Sequence, residues 1–127
     1  MRVLYVEDDE VSMRLVATVL RRRGGCELFS ARTGQEGLRV AEAERLDLVL
    51  LDLDLPDMPG EIVLRRLRGG SSGADVPVVV VSADARVATV GRVIAAGATH
   101  MLTKPLDLAA LGWWLDAADA AVREQVS

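Results

Sequence analysis

Five short apolar runs, each followed by a segment of helical periodicity, constrain this chain more than any other feature. The strongest are Val3–Val6, Leu48–Leu51 and Val78–Val81, with weaker ones at Cys26–Ser30 and His100–Leu102. Short aliphatic runs bounded by turn residues read as buried strands. The first helical segment spans about Glu10 to Arg22, with Val11, Leu15, Val16, Val19 and Leu20 on one face and Gly24-Gly25 as its stop. Thr33 and Glu36 have the form of a capping box for a second helix, which runs through Leu38 and Ala41 to about Ala43. A third helix carries Ile62, Val63, Leu64 and Leu67. The fourth, from about Ala85 to Ala96, is expected to point Val87, Val90 and Ile94 inward; the fifth, from about Asp107 to Arg123, does so with Leu108, Leu111, Leu115 and Val122. Gly69-Gly70-Ser71-Ser72-Gly73 reads as a flexible loop, not a domain boundary. Strict alternation of strand and helix requires right-handed crossovers, so the fold class is α/β: a (βα)5 parallel sheet covered on both faces.

Composition fits this reading. Half of the residues are hydrophobic but only 3% are aromatic, so the core is built from Val, Leu, Ile and Ala. The 127 residues, 1–127, form one domain, large enough to bury about two-thirds of its unfolded surface without metal or disulfide staples. Cys26 has no second cysteine to pair with, and Met1 opens directly on an apolar strand with no signal-like arrangement. No apolar run approaches the about 18 residues that span a bilayer, so no membrane role and a cytoplasmic location are expected. A formal net charge of −4 argues against direct nucleic-acid or anionic-lipid binding.

In an open parallel sheet, functional groups gather beyond the carboxyl ends of the strands. Four strand ends here carry chemistry: Glu7-Asp8-Asp9, Asp52-Leu53-Asp54, Ser82-Ala83-Asp84 and Thr103-Lys104-Pro105. Carboxylates brought to about 4 Å repel by about 1 to 4 kcal/mol per pair, depending on the dielectric. A hard divalent cation offsets this best, and Mg²⁺ favours one or two carboxylates, a carbonyl oxygen and waters. Lys104 can pair with Asp52 at rest and hold a phosphoryl oxygen when phosphate arrives, while Ser82 offers a hydroxyl to the same oxygens. A carboxylate so placed can attack phosphorus to form an acyl phosphate, and Asp52, ending the most apolar run, fits that role. The turn-rich loop Leu55-Pro56-Asp57-Met58-Pro59-Gly60 can wrap a small ligand.

Through Val6-Glu7-Asp8-Asp9, Leu51-Asp52 with the Leu55–Gly60 loop, Val81-Ser82-Ala83 and Thr103-Lys104-Pro105, the chain resembles the receiver domain of two-component response regulators over nearly its whole length. The resemblance implies a flavodoxin-like three-layer sandwich, chemotaxis-regulator-like, with strand order 2-1-3-4-5. It implies Asp52 as acceptor of a phosphoryl group from the phosphohistidine of a histidine kinase or histidine phosphotransfer protein. It further implies Ser82 and Lys104 as catalytic partners, and Mg²⁺ (or Mn²⁺) held by Asp8, Asp52, the Asp54 backbone carbonyl and, through water, Glu7. Lys104-Pro105 is commonly cis in the family. Such a protein is a self-phosphorylating and self-dephosphorylating phosphorelay module, not a turnover enzyme. Its helix 4, strand 5 and helix 5 face, which includes Trp113, would bind an output partner or a second copy. The runs Ser82-Ala83-Asp84-Ala85 and Lys104-Pro105-Leu106-Asp107-Leu108 look more like hybrid-kinase receivers than stand-alone ones.

Several residues carry expectations of their own. Met101 stands where the family usually has an aromatic switch residue, and it offers neither flat ring nor hydroxyl. His100 should face away from it as a surface residue. Asp54 and Asp84 are expected to flank the phosphoryl group and alter its lifetime. Asp9 suits the start of the first helix without touching metal, and Arg21-Arg22-Arg23 suit its end. Cys26 should be a small buried hydrophobe. Trp113 should be exposed, with Trp114 at its flank. Among other classes, a haloacid-dehalogenase-like phosphatase would use Asp52 and Asp54 as nucleophile and acid. The mid-chain position of the motif, Pro56 and the lack of room for a cap domain oppose it. A pseudo-receiver is opposed by the presence of Asp52 and Lys104. A flavodoxin-like redox carrier would need a phosphate loop after the first strand and aromatic residues to sandwich a flavin.

Overall fold

The computed structural model describes residues 1–70 and 73–126. Ser71 and Ser72 of the expected loop, and Ser127 at the end of the expected domain, lie outside the described residues. Strand and helix alternate as anticipated: β1 (Arg2–Val6), α1 (Glu10–Arg23), β2 (Glu27–Ala31), α2 (Gly34–Ala43), β3 (Leu48–Asp52), α3 (Gly60–Gly69), β4 (Val78–Ser82), α4 (Val87–Ala95), β5 (His100–Thr103) and α5 (Leu108–Val126). The strands are all parallel, in the order β2-β1-β3-β4-β5. Side-chain alternation divides the interior into two layers. Leu4, Val6, Val49, Leu51, Val78 and Val80 pack with Val63, Leu64 and Leu67 of α3 and Val93 of α4. On the other face, Val3, Tyr5, Leu48, Leu50, Val79 and Leu102 pack with Val16 and Leu20 of α1 and Leu111 and Leu115 of α5. Every residue of β3 and β4 is buried, as central strands of a doubly covered sheet require.

Two helices are turned from the expected phase. In α4, Val87 is 89% exposed and Ile94 45% exposed, while Thr89 and Val93 face the core and Val90 is half-buried. The helix starts at Val87, two residues later than expected: Arg86 before it is extended, and its amide donates to the Asp84 carboxylate. In α1, Val16 and Leu20 are buried but Val11 and Leu15 are exposed. Leu108 and Ile62 also lie at the surface.

Helix ends are fixed by side chains from neighbouring loops. Asp9 caps α1, accepting from the Ser12 amide at 3.0 Å and its hydroxyl at 2.6 Å. Arg23 in the last turn of α1 pairs with Asp116 of α5 at 2.6 Å. Thr33 accepts from the Glu36 amide at 3.1 Å, but the Glu36 carboxylate accepts from Arg32 rather than returning to Thr33. Asp57, from the β3–α3 loop, accepts from the Gly34 and Gln35 amides at 2.8 and 2.9 Å. Those bonds, Gln35's the larger effect, hold its carboxyl below the usual range. Gly60 allows α3 to begin against the end of β3: a Cβ there would lie 2.3 Å from the Asp52 carbonyl oxygen, and the Gly60 amide donates to Leu53.

At the opposite end of the sheet, one side chain joins three segments. Arg68 donates from Nε to the Gly97 carbonyl (2.9 Å) and from Nη1 to the Gly73 (3.0 Å) and Val76 (2.6 Å) carbonyls. Gly97 has φ +113°, and a Cβ there would meet Arg68 Cγ at 2.7 Å. A buried carbonyl left without its donor costs about 1–3 kcal/mol, and this end is only partly screened from water. Arg68→Ala is therefore expected to lose about 3 kcal/mol of unfolding free energy in urea. A loss below about 1 kcal/mol would mean that water takes over these carbonyls.

Acidic site at the carboxyl ends of the strands

The sheet register brings the carboxyl ends of four strands side by side. Asp52 closes β3 beside Val81, and Ser82 closes β4 beside Thr103. Backbone pairing continues one residue further, with Glu7 donating to the Ala31 carbonyl and Lys104 to the Ser82 carbonyl, both at 2.9 Å. Glu7, Asp52, Ser82 and Lys104 thereby project from one rim on backbone fixed by the ladder.

Glu7 is 1% and Asp52 3% exposed, whereas Asp8 reaches solvent. Carboxylate oxygens of these three residues all lie within 4.8 Å of one another. Lys104 Nζ stands between the buried pair, donating to Glu7 Oε2 at 2.9 Å and to Asp52 Oδ2 at 3.4 Å. The resting lysine is thus closer to Glu7 than to Asp52, the partner expected from sequence. Glu7 also accepts from the Tyr5 hydroxyl (3.0 Å, Oε2) and the Asp9 amide (3.2 Å, Oε1), and Asp52 Oδ1 accepts from the Asp54 amide at 3.2 Å. Ser82 Oγ, itself buried, accepts from the Asp84 amide at 3.0 Å, which leaves its own proton free to donate.

Burial above all, then the neighbouring Glu7 carboxyl, pushes the Asp52 pKa up to about 7 against the pull of the Asp54 amide and Lys104. For Lys104, burial opposes the charge, but the hydrogen bond to Glu7 and the charges of Asp52 and Glu7 outweigh it and raise its pKa. Three carboxyl groups face a single ammonium here. A cluster of hard oxygen donors with excess negative charge fits a small divalent cation such as Mg²⁺.

Asp54 is exposed in a cleft with Asp8, Leu53, Met58 and Pro59. A second hollow is lined by Asp54, Ser82, Asp84 and Thr89, which places both acids beside the rim. Asp84, however, is engaged by α4: it accepts from Arg86 Nε at 2.9 Å and from the Thr89 hydroxyl at 2.7 Å. These bonds, Arg86's first, hold its carboxyl well below the usual range. The Lys104-Pro105 bond is cis. Met101 packs half-buried against the core, while His100 is exposed and stacks on Trp114 with ring centroids 5.2 Å apart. Trp113 is 61% exposed. Cys26 is half-buried, one residue before β2 rather than beginning it. Three residues that hold this region were not singled out from sequence: Tyr5, Asp57 and Thr89. Only Tyr5 left a signal, since two residues before Glu7 on a strand means the same face.

Comparison with known proteins agrees with this geometry. The profile of the response regulator receiver domain matches residues 3–113. The chain is 35% identical over 105 residues to the cell cycle transcriptional regulator CtrA of Caulobacter vibrioides (strain NA1000 / CB15N), covering 83% of this chain and 44% of CtrA. It is 39% identical over 114 residues to the two-component response regulator ORR41 of Oryza sativa subsp. japonica, covering 87% of this chain and 88% of ORR41. The receiver domain of sensor histidine kinase PA1611 from Pseudomonas aeruginosa PAO1, solved with a magnesium ion coordinated in its active-site cleft, superposes with a TM-score of 0.83. The two share 29% identity, over 91% of this chain and 94% of that one. The chain therefore spans less than half of CtrA, and the matches include both regulators and a sensor kinase rather than favouring hybrid kinases. They give no support to a haloacid-dehalogenase-like phosphatase. Among the described residues, no helix is long and apolar enough to cross a membrane.

Proposed function

The chain belongs to the receiver domains of two-component response regulators, and from that premise we propose that Asp52 is its phosphoacceptor, with Lys104 and Ser82 as catalytic partners. Residues 1–127 are one such domain, acting as a cytoplasmic phosphorelay module rather than a turnover enzyme. The observation that carries this reading is the buried Asp52 carboxyl at the end of a fully buried strand, sharing Lys104 with Glu7 and lying within 4.8 Å of the Glu7 and Asp8 carboxylates.

Asp8, Asp52 and the Asp54 backbone carbonyl would hold Mg²⁺ (or Mn²⁺), with Glu7 acting through water because its oxygens already accept from Lys104, Tyr5 and Asp9. The cation supplies charge neutralisation for the crowded carboxylates and for the transferring phosphoryl oxygens. Asp52 attacks the phosphorus of a phosphohistidine on a histidine kinase or phosphotransfer protein. An O–P bond forms as the N–P bond breaks, and the imidazole leaves with the electron pair. Lys104 exchanges its contact with Asp52 for a phosphoryl oxygen, and Ser82, whose hydroxyl proton is free, donates to another. The face formed by α4, β5 and α5, with Val87, Ile94, Leu108 and Trp113 exposed on those helices, is the surface for an output partner or a second copy.

Incubation with labelled acetyl phosphate tests the reading. One phosphoryl group per chain is expected with Mg²⁺ present and none after chelation. No incorporation in the presence of Mg²⁺ overturns it.

A further inference from the structure

The mechanism above counts the hydroxyl of Tyr5, the only tyrosine in the chain, as one of the donors to Glu7 but gives it no further role. The ring is 1% exposed and packs in the layer formed with α1 and α5. A leucine or valine would fill such a position with no polar atom to satisfy. Instead the phenol donates at 3.0 Å to Oε2 of Glu7, the same oxygen that accepts from Lys104 at 2.9 Å. Oε1 accepts from the Asp9 amide, at 3.2 Å. A carboxylate oxygen accepts about two hydrogen bonds. Oε2 is therefore saturated by Tyr5 and Lys104 together, and the capacity that Glu7 has left lies on Oε1.

We infer that Tyr5 is a positioning residue for the cation site, its hydroxyl holding the Glu7 carboxyl group so that Oε1 faces the cation. This rests on the proposed reading that Glu7, Asp8 and Asp52 hold Mg²⁺. Lys104 cannot do the same work alone. It also contacts Asp52 and, in the mechanism above, turns to the phosphoryl group, so Tyr5 is the side-chain donor that stays with Glu7 throughout. Removing a partner that orients a metal-site carboxylate typically weakens metal binding about 10–100-fold. Because Glu7 acts through water, the lower end applies.

Tyr5→Phe keeps the ring and deletes only the hydroxyl. Calorimetry of the whole chain with Mg²⁺ alone is expected to show about tenfold weaker binding in Tyr5→Phe. In labelling assays, the variant needs correspondingly more Mg²⁺ for half-maximal rate, while the rate at saturating Mg²⁺ stays within about twofold of wild type. A merely structural role would not split affinity from rate in this way. A second measurement keeps the test decisive if the variant folds poorly: the single Tyr5 phenolic carbon, isotope-labelled in the wild-type protein, should shift in NMR with the same Mg²⁺ dependence as the calorimetric signal. Wild-type affinity in Tyr5→Phe overturns the inference, as does a phenolic resonance that stays still while calorimetry registers binding. If wild type itself binds no Mg²⁺, the proposed cation site fails, a different result from either of these.

Discussion

Replacing Lys104 with Met is expected to slow phosphoryl acquisition from acetyl phosphate by about 10²–10³-fold, even at saturating Mg²⁺. The methionine keeps much of the side chain's bulk and removes only the charge. Lys104 Nζ lies within hydrogen-bonding distance of both Glu7 and Asp52, so it can reach a phosphoryl group on Asp52 without a large movement. A preorganised charge in a water-poor site acts where charge is spread over the transferring oxygens, and bulk Mg²⁺ cannot take over that position. Arginine is not an adequate substitute, because its broad planar fork does not fit a contact built for a point charge between two carboxylates. Labelling time courses of the purified variant check this. A rate within about threefold of wild type would remove Lys104 from the mechanism.

The second large effect concerns pH and stability without metal. In the folded protein the Asp52 pKa is about 7, against 3.8 for an unperturbed carboxyl. Between those values the folded state holds a proton that the unfolded state has released. Stability from this group is therefore present in full below about pH 4, falls as pH rises through the window, and levels off above about pH 7. The magnitude is on the order of 3 kcal/mol, after allowance for Lys104 and residual solvation. Asp52→Asn has no such proton to lose. In chelator, wild type and variant should be similarly stable near pH 4, while at pH 8 the variant is the more stable by about 2–3 kcal/mol. Mg²⁺ at pH 8 should narrow the gap by stabilising the wild type more than the variant, which lacks one of the carboxylates assigned to the cation. Carboxyl groups held low by hydrogen bonds, such as Asp57 and Asp84, contribute the opposite slope at acid pH. They are common to both proteins and cancel in the difference. Parallel urea curves with no pH-dependent difference would contradict the buried, desolvated state assigned to Asp52.

The rim of the site is legible in sequence because each of its residues directly follows an apolar strand. Glu7 after Val3–Val6, Asp52 after Leu48–Leu51 and Ser82 after Val78–Val81 cannot be far apart once the sheet is parallel. The phase of α4 is not legible for a physical reason. Its inward stripe begins with Thr89, whose polarity reads as surface until Asp84 is seen to accept its hydroxyl. The more hydrophobic Val87 and Ile94 are left outside. Asp57 is hidden for a similar reason, because its partners, the amides of Gly34 and Gln35, are more than twenty positions away in the chain. The division of Lys104 between Glu7 and Asp52 depends on ångström-scale distances that no residue pattern encodes.

Reduction by borohydride converts an acyl phosphate on aspartate to homoserine, and peptide mass analysis then locates it. After incubation with acetyl phosphate and Mg²⁺, homoserine is expected at position 52 and at no other carboxylate, with none formed in Asp52→Asn or without metal. Homoserine at Asp8, Asp54 or Asp84 in place of position 52, or none anywhere in wild type, would contradict the account.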